Sequence, residues 1–196
     1  MANTTRSAGL GANGAGGGSA TWTTPNNITA SDNNRAVIQG PDGFSSRDLV
    51  CSNFNFNIPL GSTINGISVG VERYASGQVI DTVIKLLNGD GAGGESTYND
   101  SSGATWSATD AITTFGGPTQ TWDESWTAAK INSSNFGVIL RCEGVTGDYA
   151  VDQAYIDHVQ ITVYFSSTIR AGTSEIKEIR VGANPISNIA AGSITI

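Results

Sequence analysis

Apolar and polar residues alternate with a period of two through the middle and late parts of the chain. In INGISVGVERY, Ile67, Val69 and Val71 fall on one side, with Ser68, Gly70 and Glu72 on the other, which is the pattern of a half-buried strand. IDHVQITVYF behaves likewise, with Asp157, Val159, Ile161, Val163 and Phe165 on one face and Ile156, His158, Gln160, Thr162 and Tyr164 opposite. In LVCSNF and FGVILRC, Leu49 pairs in parity with Cys51, and Val138 with Leu140 and Cys142. Turn signals at 88–94, 115–118 and 144–148 separate these runs, and WDESWTAAKI is the only helical hint. About eight strand candidates and no long amphipathic helix predict an all-β fold, an antiparallel two-sheet β-sandwich of jelly-roll type.

The chain divides into three parts. Residues 1–20 are mostly Gly, Ala, Ser and Asn with a single Leu10, too little apolar surface to offset the entropy of ordering, so a flexible arm is expected. Residues 21–166 form the sandwich. Residues 167–196 carry a short repeat: Ile176, Ile179 and Gly182 in EIKEIRVG recur ten positions later as Ile186, Ile189 and Gly192 in PISNIAAG. Two copies bury too little surface to stand alone in water. The repeat therefore predicts a C-terminal β tail that self-associates, most simply as a homotrimer, through Ile176, Ile179, Val181, Ile186, Ile189, Ile194 and Ile196. The plainer alternative is a frayed end.

Composition narrows the function. A formal net charge of −7, with ten basic residues scattered along the chain, argues against a nucleic-acid partner. No apolar run approaches the roughly 18 residues of a membrane helix, and no secretory signal pattern opens the chain, so synthesis in a cytoplasm and no membrane partner are expected. Cys51 and Cys142 lie on predicted core faces without a CxxC spacing and read as reduced core residues.

Little catalytic chemistry is visible. His158 is the only histidine, and its neighbour Asp157 points to the opposite face of a strand, so the two make no dyad. Asp90, Glu95, Asp100 and Asp148 sit among glycines, a chemistry calcium uses, but turn formation accounts for them and no metal or other cofactor is expected. Trp106, Trp122 and Trp126 fall close together and offer either faces for a sugar ring or, for Trp122 and Trp126, spaced one helical turn apart, a clamp of a short helix onto the sandwich.

The ordered run CSNFNFNIPLGSTINGISVGVER, FGGPTQTW, WTAAKINSSNFGVIL and AYIDHVQITVYF resembles a β-sandwich domain of phage-encoded structural proteins, and the tail is similar to Ile/Val-Gly repeats of phage tail and fibre proteins. The resemblance implies a virion component without enzymatic activity, on the outer surface of the particle. Phe54, Phe56, Trp126 and Phe136 then take structural positions. The short length favours a capsid decoration, or cement, protein whose partners are further copies of itself and the major capsid protein or another virion protein. The alternative is a tail-fibre or head-fibre module that binds a host receptor or glycan.

Overall fold

The alternation read from the sequence becomes a pair of long central strands, β5 (Thr63–Ser76) and β9 (Asp152–Ser166), in the first of two antiparallel sheets. The computed structural model describes residues 1–89, 94–147 and 151–167, with the backbone of 180–181 and 184–185. Register sets Ile67 opposite Val163, Val69 opposite Ile161 and Val71 opposite Val159. All six are buried, and so are Val138 and Leu140 on the facing sheet.

The first sheet runs β1 (Ala2–Ser7), β9, β5, β7 (Ala111–Gly117), with β3 (Ala36–Gly40) sharing the β1 edge of β9. The second runs β2 (Leu10–Gly17), β4 (Arg47–Ser52), β8 (Phe136–Gly144), β6 (Val79–Asn88). Residues 94–106 follow β6 through bridges at Leu87 with Glu95 and Ile80 with Thr105, supplying an irregular outer strand. From β3 onward the chain alternates between sheets as a jelly roll does, and the predicted fold class is the observed one.

Residues 1–20 correct the expectation of a flexible arm. β1 zips onto β9 from Ala2–Phe165 to Ser7–Gln160, and β2 pairs with β4. Ala8 and Gly9 form the corner between sheets, with Ala8 N bonded to Val159 O at 2.9 Å and Gly9 N to Ser52 O at 3.0 Å. The segment is ordered by backbone ladders on two sheet edges rather than by apolar side chains. Glycine is required for the closeness: a Cβ on Gly11 would fall 2.1 Å from Pro25 O.

A second correction concerns parity in β9. Glu72 pairs with His158, but the next residue, Arg73, pairs with Ile156, so Asp157 is an extra residue at a bulge. The bulge turns Ile156 inward to 1% exposure, where strict alternation had placed it with His158 on the outer face.

The predicted tail lies almost wholly outside the described residues. Arg180–Val181 pairs antiparallel with Asn184–Pro185. Ile176, Ile179, Ile186, Ile189, Ile194 and Ile196 are not described.

Candidate functional site

The tryptophans do not meet at a surface. Trp122 is fully buried and donates its indole N–H to Ile67 O at 2.9 Å; Trp106 is 7% exposed and donates to Asp81 Oδ1 at 3.1 Å. Half-buried Trp126 donates to Thr121 O at 2.8 Å and packs edge-on against Phe136, with ring centroids 5.4 Å apart. Trp22, buried on the second sheet's side, donates to Arg47 O at 3.0 Å. Trp122 and Trp126 are not one helical turn apart. The helix α1 is only Ala128–Ile131, capped by Thr127, and Trp122 and Asp123 both have positive φ (58° and 54°) in the turn before it. A bulky residue in that region is strained, and the buried indole bond holds it there.

The interior does contain a polar cluster. Arg73 of β5 bonds Asp81 of β6, joining the two sheets, with side chains 7% and 1% exposed. The guanidinium lies 4.3 Å from the Trp106 ring centre and 5.2 Å from that of Phe115, and its Nε donates to Thr113 Oγ1 at 3.3 Å. Aromatic faces and an opposed carboxylate are what a buried arginine needs. This cluster is closed to solvent and joins the two sheets from within.

On the outer face of the first sheet, His158 Nε2 meets Ser7 Oγ at 2.8 Å. No carboxylate is hydrogen-bonded to this ring among the described residues, so the pair lacks the third group that would orient a base. Of the loop carboxylates, Asp100 Oδ2 accepts from Gly116 N at 2.5 Å and Glu95 pairs with Lys85 at 3.5 Å, both turn-holding roles. Asp90 and Asp148 lie outside the described residues. The carboxylates that do converge, Glu72, Asp110 and Asp157, come from strands and strand ends, and no local sequence pattern marked them.

The outer face of the second sheet carries a shallow cavity of about 260 Å³, lined by Val50, Ser52, Leu87, Asn88, Gly89, Gly94 and Asn135. Farther along this face Arg141 forks onto Asp48 Oδ1 through Nε at 2.9 Å and Nη2 at 2.7 Å. The cavity has polar donors and acceptors but no aromatic wall among the described residues.

Cys51 and Cys142 are free and buried, and burial pushes both thiols well above their ordinary range. They behave as small core residues.

No protein-family model matches the chain, and no curated protein sequence matches it. Two solved domains are similar in fold. One is the CBM22-1 xylan-binding domain of Paenibacillus barcinonensis Xyn10C, with 10% identity and a TM-score of 0.39 over 82% of this chain and 92% of that one. The other is the N-terminal cellulose-binding domain of Cellulomonas fimi β-1,4-glucanase C, with 14% identity and a TM-score of 0.34 over 80% and 86%. At this distance the ligands of those domains say nothing about what this chain binds.

Proposed function

We propose that this chain is a non-catalytic structural protein of a virus particle, a capsid-surface decoration that acts as a homotrimer joined through residues 167–196. The observation that carries the structural reading is the fate of the tryptophans: all four indole N–H groups are bonded inside the protein. The side chains best suited to grip a sugar are spent on holding the jelly roll together. Strands β1 and β2 add backbone ladders at the edges of both sheets, which gives the body the stiffness a surface clamp needs. The acidic charge keeps such a surface from stray nucleic acid.

The cavity between Val50, Leu87 and Asn135 favours a second reading, a receptor- or glycan-binding module at a fibre tip. The two readings separate on a glycan array and in sedimentation. The structural reading expects a trimer that reverts to a folded monomer when residues 167–196 are removed, with no glycan bound. A monomeric full-length chain that binds a defined glycan, with binding lost in Asn135→Ala, overturns it.

A further inference from the structure

Three carboxylates from distant stretches of chain converge beside the first sheet. Glu72 lies on β5, Asp157 is the extra residue of the β9 bulge, and Asp110 immediately precedes β7; one oxygen of each lies within 4.8 Å of the others. Arg35 supplies one opposing charge, with Nη2 2.8 Å from Asp110 Oδ2. Three carboxylates against one guanidinium leave two negative charges uncompensated, the charge of one divalent cation.

A separate observation points to a missing ligand. Asp157 is 1% exposed, and while its Oδ2 accepts from Asn33 N at 3.1 Å, its Oδ1 is buried with no hydrogen-bond donor. The oxygen of Asp110 that Arg35 leaves free, Oδ1, is buried without a donor as well. Carboxylate oxygens withdrawn from water are costly unless a donor or a cation meets them. The bulge is what turns Asp157 into this position, so the irregularity of β9 and the convergence have one origin.

We infer that Glu72, Asp110 and Asp157 form a binding site for Ca²⁺. The donor set is all oxygen, which suits a hard cation rather than zinc or copper. Calcium holds its oxygens at about 2.3–2.6 Å, so ligands on opposite sides of the ion stand about 5 Å apart, which accommodates three oxygens lying within 4.8 Å of one another. Magnesium, at about 2.0–2.1 Å and strictly octahedral, fits a tighter group. Bound there, the ion ties β5, β9 and the approach to β7 together, and through the Asn33 contact it also secures the 29–35 segment. This goes beyond the structural function proposed above and does not depend on it.

The test uses the full-length protein stripped with EDTA, titrated with CaCl₂ and, separately, MgCl₂ by calorimetry, with thermal unfolding in parallel. One Ca²⁺ per chain is expected, with a Tm that rises with calcium and a much weaker response to magnesium. Glu72→Gln and Asp110→Asn should each weaken calcium binding by at least about tenfold, since affinity follows the number of charged ligands. Glu72 is half-buried and at no core position, so Glu72→Gln alone decides the matter if Asp110→Asn does not fold. Absence of calcium binding at millimolar concentration, or binding undiminished in Glu72→Gln, overturns the assignment.

Discussion

Arg73 on β5 and Asp81 on β6 are bonded to each other inside the jelly roll, one contributed by each sheet. Asp81 also accepts the Trp106 indole N–H, so a single carboxylate fixes an arginine and a tryptophan in the core. Removing one member of such a pair leaves the other charged and dry. Asp81→Ala should cost about 3–5 kcal/mol in denaturant unfolding, whereas Arg73→Met with Asp81→Leu should recover most of that loss. A double variant as unstable as the single would show that the cluster contributes through shape and not through charge.

Burial within the first sheet, on β9 and β7, predicts a second contrast. Ile161 is fully buried and Ile112 is 55% exposed. Ile161→Ala should cost about 2–5 kcal/mol. Ile112→Ala should stay within about 0.5 kcal/mol. Equal losses in the two variants would mean that the buried face is misassigned.

How much of this was legible in the sequence depends on which signal carried it. Side-chain alternation identified the inner faces of β5, β8 and β9, because period two is a direct consequence of strand geometry. The same rule misplaced Ile156, since one inserted residue at Asp157 reverses parity and leaves no mark in composition. The N-terminal strands were hidden for a different reason. Their stability lies in backbone pairing and in glycines that let chains approach, as at Gly11 against Pro25, and apolar counting is blind to both. Trp122 and Trp126 carried helical spacing, but Trp122 sits at positive φ, a tertiary outcome enforced by its bond to Ile67 O. The carboxylate group of Glu72, Asp110 and Asp157 spans 85 positions of sequence and becomes visible only once the sheet brings it together.

The N-terminal segment gives a third prediction. Because β1 and β2 pair with both sheets, deletion of residues 1–17 should lower the unfolding midpoint measurably and loosen β4 around Cys51, whose backbone pairs with Gly11 of β2. Gly11→Val should do the same, since its side chain collides with Pro25 O. A deletion variant with wild-type stability would return the segment to the role of a loose arm.

The buried thiols predict a pH dependence. Burial raises the folded-state pKa of Cys51 and Cys142 above the ordinary value of 9.0. Below that value both states keep the protons and the thiols contribute no slope; above it the unfolded chain loses protons that the folded chain retains, so stability falls as pH rises. Unfolding measured from pH 8 to 10.5 should show this decline, and Cys51→Ala with Cys142→Ala should flatten it. In native protein both thiols should resist alkylation until denaturant is added. Rapid labelling of either without denaturant would contradict the buried placement.

The proposed role as a particle-stabilising protein rests on association with an assembled shell, and a component that binds only the assembled state raises its stability by linkage. The most direct measurement is the loss of packaged DNA under heating and osmotic shock from particles made with and without this protein, with purified protein added back. Particles lacking it should assemble, release DNA at lower temperature, and regain resistance on addition of the purified protein. Particles that stay fully robust without it but fail to adsorb to host cells would contradict the structural reading and establish the receptor-binding one.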